Sequence, residues 1–96
     1  MPNALHRAEY EIFRLMLVQA RENSGITQVE VAAKLKKPQS FVSKYERGER
    51  RLDVPEFIEI ATILSIDVQE FISCYQANLK EGFRAMPFTT NLPSRL

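Results

Sequence analysis

Between Thr27 and Arg51 the chain sets two short apolar-periodic segments one after the other, with only Lys36-Lys37-Pro38 between them. Thr27 offers a hydroxyl to cap the first, and Glu30 three residues on completes a T-x-x-E capping box. Val29, Val31, Ala32 and Leu35 are its apolar positions. Pro38 suits the first position of the second, because its missing N–H would be unpaired there. That segment reads PQSFVSKYER and stops at Gly48. Two short helices joined by a tight turn are common, so the detail of the packing positions decides what the pair is. Counting from Gln28, a close helix crossing needs a small residue at the fifth place, where Ala32 stands. Buried aliphatics are needed at the fourth, eighth and fifteenth, where Val31, Leu35 and Val42 stand, and Tyr45 fills an apolar eighteenth.

The remainder of the chain reads as helix. Tyr10, Phe13, Leu17 and Ala20, with Ile12, Leu15, Met16 and Val18 around them, give a wide apolar face over Ala8 to Ser24. Gly25 and Gly48 each follow a periodic segment, where a helix end favours a residue able to turn left-handed. Asp53 caps a fourth helix, with Glu56 in the capping-box position, Pro55 in the first turn, and Phe57, Ile58, Ile60, Ala61, Ile63 and Leu64 as apolar residues. After Ser65-Ile66-Asp67 a fifth carries Val68, Phe71, Ile72, Tyr75 and Leu79. The expectation is an all-α domain of five helices over residues 1–83. Residues 84–96, with two prolines and no helical period, form a tail that is flexible or an arm that orders on a partner.

Charge is uneven along the chain. The net charge is only +1, but residues 34–51 hold seven cations against two anions, and residues 52–83 hold six anions against one cation. A folded domain would then have a positive and a negative face, which attracts and orients a polyanion. On the third helix, Phe41, Val42 and Tyr45 lie inward or at the margin, while Gln39, Ser40, Ser43, Lys44 and Arg47 form the opposite stripe. Amide, hydroxyl and ammonium groups in that array suit base edges in a major groove: Gln pairs with adenine, Lys with guanine, Ser with several edges. No glutamate interrupts the stripe before Glu46.

The stretch from Phe13 to Tyr75, with its TQ-x-x-x-A core and its S-x-x-S-x-x-E-x-G-like third helix, resembles the lambda repressor/Cro-type helix-turn-helix family, often called the XRE family. The resemblance implies a lambda repressor-like fold with the helix-turn-helix at helices 2 and 3, and double-stranded DNA as partner. It implies base reading by Gln39, Ser40, Ser43 and Lys44, and phosphate contacts from Gln28, Lys37, Arg47, Arg50 and Arg51, with simple solvation as the alternative for the last two. It assigns Arg21 and Glu46 to an internal salt bridge that supports the reading helix. Phe41 is placed in marginal core packing, with contact to a thymine methyl as the alternative. Three residues depart from the family pattern, one of them Ser65, which stands in for a common glycine after the fourth helix; the other two lie in the turn. Lys36 stands where the turn usually has glycine, at a cost of about 1 kcal/mol in the left-handed region, and Pro38 replaces the usual Ser or Thr cap. A somewhat different turn is expected from them.

Other functions find little footing. His6 and Cys74 are the only residues of their kinds, so no metal site is expected, and no cofactor. No nucleophile–base pairing or phosphate-binding glycine loop is present, so an enzyme is not expected. A single cysteine, no membrane-length apolar run and no signal-peptide pattern favour a cytoplasmic protein. One reading helix covers few base pairs, so a homodimer on an inverted-repeat operator is expected. Tyr75, Leu79 and Phe83, in a helix spanning 67–83, are the candidate dimer contact; the alternative is that they fold back onto the first helix. The leading expectation is a transcriptional repressor or autoregulator with no small-molecule effector. An antitoxin with a toxin partner, or an adaptor using the same fold for protein contact, is the other reading, and a restriction–modification controller belongs to the first class.

Overall fold

The computed structural model describes residues 8–81, which form five helices: α1 Ala8–Ser24, α2 Gln28–Leu35, α3 Gln39–Glu46, α4 Val54–Leu64 and α5 Val68–Glu81. Among the described residues there is no strand, and no helix is long and apolar enough to cross a membrane. Helix α1 buries Ile12, Met16, Leu17 and Ala20, a single stripe at helical spacing. Gly25 ends its run at φ +75°. The chain then enters α2 through an intact capping box: Glu30 N donates to Thr27 Oγ1 at 3.1 Å, and Thr27 N to Glu30 Oε1 at 2.8 Å. Val31, Ala32 and Leu35 are buried. Val29, expected among the apolar packing positions, is instead 58% exposed. It lies more than a right angle around the helix from the centre of the Val31/Ala32/Leu35 face.

The turn after α2 keeps the left-handed residue that the sequence seemed to discourage. Lys36 sits at φ 61°, ψ 43°, and Lys37 N donates to Ala32 O at 3.0 Å, closing the helix end. Replacing Lys36 by Gly should therefore raise stability by about 1 kcal/mol, read as a higher denaturant midpoint. A lower midpoint would show that the lysine side chain contributes more than its backbone costs. Pro38 is not the first helical residue. At φ −69°, ψ 155° it occupies the cap position with an extended backbone, and its carbonyl accepts from Phe41 N at 2.9 Å. Proline fixes φ at a value common to helix and extended chain, so ψ alone decides the boundary.

Asp53 and Glu56 form the second capping box, and Asp53 Oδ1 accepts from Glu56 N at 2.8 Å. Helix α4 buries Phe57, Ile60, Ala61 and Leu64 but leaves Ile58 exposed. Ser65, at φ 59°, makes the second left-handed helix end without glycine. Asp67 Oδ1 accepts from Glu70 N at 3.1 Å at the start of α5. An aromatic knot ties α1, α4 and α5 together: the Phe13 ring lies 5.3 Å from Phe57 and 5.9 Å from Phe71, with Phe57 and Phe71 5.1 Å apart. Edge-on and tilted ring contacts at these separations add to the area they bury. Deeper in, Met16, Leu17, Val31, Val42, Ile60 and Leu64 form the floor on which α2 and α3 rest. Asn78, a buried amide of α5, donates to Met16 Sδ at 3.6 Å.

Candidate nucleic-acid interface

Helix α3 is held from the inside by its own last residue. Glu46 is 7% exposed and accepts from Arg21 Nε at 2.6 Å and Arg21 Nη2 at 3.2 Å. The same carboxylate accepts from Gln28 Nε2 at 2.8 Å. Arg21 spends a further N–H on Ile26 O at 2.9 Å, and the Glu46 hydrogen bond holds its pKa above the ordinary arginine value. One buried carboxylate thus joins α1, α2 and α3. Such a group is tolerated because its charge is paired and its lone pairs are used.

The relay continues outward. Gln39 Nε2, on the first residue of α3, donates to Gln28 Oε1 at 3.2 Å. Gln28 therefore links a surface amide to the buried ion pair, and both ends of its own amide are occupied within the protein. A second residue of α1, Arg14, donates to the Glu46 main-chain oxygen and to Glu11 Oε2, the latter at 3.3 Å. A cation there meets the carbonyl end of α3, where the helix dipole favours it. Gly48 is required beside it. Its φ is +81°, and a Cβ would come within 3.2 Å of Arg14 Cδ.

Outward, Gln39, Ser40, Lys44 and Arg47 are exposed and Ser43 is half-buried, so the five expected residues share one face. Glu46, one seven-residue step from Gln39, is buried at the edge of that face, and no exposed acidic residue of α3 lies on it. Arg47 pairs with Glu49 at 3.0 Å and also donates to Ser43 Oγ. Phe41 is half-buried, edge-on to Tyr45 at 5.7 Å, with Lys37 Nζ 5.2 Å and the Arg50 guanidinium 4.6 Å from its ring centre. Burial keeps the Tyr45 phenol protonated far above its ordinary range. Arg50 also binds Glu56 at 2.9 Å, and that hydrogen bond holds the Glu56 carboxyl below its ordinary value. The Arg51 guanidinium lies 4.5 Å over Tyr10, whose hydroxyl accepts from Leu52 N at 3.1 Å. Lys37 and Arg50 therefore lie against α3 at Phe41, whereas Arg51 lies over Tyr10 of α1.

Arg14 and the Gln39–Gln28–Glu46 relay lie outside the roles expected from the sequence. Arg14 had a signal, since it lies two helical turns before Arg21 on the same face of α1. The relay had none, because it depends on the angle between α2 and α3. Of the candidate dimer residues, Tyr75 is half-buried with its ring 6.4 Å from Phe13 of its own chain. Leu79 is 42% exposed, and Phe83 lies outside the described residues.

Three comparisons bear on what this arrangement belongs to. The family model described as Helix-turn-helix matches residues 17–71, more than half of the chain. No curated protein matches. Among solved structures, an XRE-family like protein from Pseudomonas syringae pv. tomato str. DC3000 is similar, at 46% identity and a TM-score of 0.71. The alignment covers 75% of this chain and 88% of that one. Taken with the five-helix, lambda repressor-like architecture, these matches place the chain in the XRE family of helix-turn-helix DNA-binding regulators.

Proposed function

We propose that the protein is a sequence-specific transcriptional repressor or autoregulator that binds an inverted-repeat operator as a homodimer. The observation that carries this reading is the outward face of α3. Gln39, Ser40, Ser43 and Lys44 are presented together, and the helix's one carboxylate, Glu46, is turned into the protein. In this reading α3 lies in the major groove and those four residues meet base edges. Gln28, through the second N–H of its amide, and Lys37, Arg47, Arg50 and Arg51 meet the flanking phosphates, the three arginines by turning from internal partners that cost little to exchange at the surface. Ile72 and Leu79, exposed one seven-residue step apart on α5, are the apolar surface proposed for a second copy.

Base and phosphate contacts fail differently when removed. Lys44→Ala should cost about 1–3 kcal/mol on the preferred operator and relax the preference at one base position in each half-site. Lys37→Ala should weaken all duplexes alike and lower the salt dependence of binding. Fluorescence anisotropy with operator variants distinguishes the two. Uniform weakening by Lys44→Ala would remove that residue from the reading face.

A further inference from the structure

Arg47 is the last cation on the outward stripe of α3, and in the free protein its fork is already filled. Nε donates to Glu49 Oε2 and Nη2 to Glu49 Oε1, each at 3.0 Å, while Nη1 donates to Ser43 Oγ. The backbone brings Glu49 within reach, because Glu49 N donates to Lys44 O at 2.8 Å and holds the residue against the end of α3. A phosphate offers an arginine fork the same two-oxygen grip that a carboxylate does. We propose that Glu49 is an internal competitor for DNA phosphate at Arg47, one that lowers sequence-independent affinity and leaves more of the binding to base contacts. The inference rests on the DNA-binding reading above.

Three features support it. Both side chains are about half exposed, at 55% and 53%, so the pair is weak enough for DNA to exchange. Hydrogen bonding to Arg47, with Lys44 nearby, holds the Glu49 carboxyl below its ordinary value, so it stays an anion at neutral pH. An Arg47–phosphate contact made in exchange for Glu49 frees a carboxylate as it neutralises a phosphate, so it adds no net charge toward counterion release, whereas an Arg47 relieved of Glu49 would add one unit.

The test is a double-mutant cycle on a fixed duplex lacking the operator, with affinity measured by anisotropy across a range of salt. Glu49→Gln should tighten binding about threefold at low salt and steepen the logarithmic salt slope by about 0.9. Arg47→Ala should leave the parent slope nearly unchanged, and Glu49→Gln added to it should have no effect. An unchanged slope for Glu49→Gln overturns the proposal. So does an equal gain in the Arg47→Ala background, which would show bulk charge rather than competition for Arg47. A duplex bound by none of the four proteins sinks the DNA-binding reading itself, whereas binding with an unchanged slope sinks only the competitor.

Discussion

Glu46→Ala should lower folding stability by about 3–5 kcal/mol and cost DNA affinity beyond what unfolding explains. The alanine strands the Arg21 guanidinium, whose side chain is only 14% exposed, without the carboxylate that balances it. It also removes the acceptor for Gln28 Nε2, and Gln28 in turn holds Gln39. The buried pair and the outermost reading residue are thus two ends of one chain of hydrogen bonds. Glu46→Gln keeps an acceptor oxygen but loses the charge, and it should fall between the parent and the alanine variant. Urea unfolding gives the stability change. Binding measured well below the unfolding midpoint gives the rest. If Glu46→Ala unfolds at the parent's midpoint, the ion pair does not brace the helix as described.

Phe71→Ala should cost a similar amount, about 3–5 kcal/mol, by a different route. Phe71 is fully buried in α5, where its ring closes a triangle with Phe13 of α1 and Phe57 of α4. Truncating it opens a void among Phe13 and Phe57 that two helices framing it cannot readily close. The ring contacts of Phe71 run to α1 and α4, so at low temperature the folded fraction should bind DNA with the parent's affinity and base preference. The two variants therefore separate stability from reading. Both lower the midpoint, and only Glu46→Ala should also alter the complex. A changed base preference in Phe71→Ala would mean that the aromatic knot sets the pose of α3.

The sequence made much of this legible because the strongest local rules coincide here. Thr27/Glu30 and Asp53/Glu56 fix two helix starts by side-chain bonding that involves only neighbours, and both boxes form. The apolar period located the core of α1, α2 and α4 apart from Val29 and Ile58, which lie off the buried stripe. Lys36 and Pro38 suggested a different turn; instead Lys36 accepts the left-handed conformation, and Pro38 moves one position outward to the cap. What periodicity could not show is how polar side chains pair across helices. Arg14 with the Glu46 carbonyl, Gln28 with Gln39, and Tyr10 with Leu52 join residues 32, 11 and 42 positions apart. Those links depend on crossing angles, and they decide which surface amides and cations are held from within.

The central claim is that the outward face of α3 reads base sequence. Selection of bound duplexes from random DNA by the full chain at low salt tests it most directly, followed by the same selection with Lys44→Ala. The account predicts a motif with two inverted half-sites, about one helical turn apart between centres, and a loss of preference at one position per half-site in the variant. Emergence of no motif at a salt concentration where phosphate contacts are strongest would contradict it.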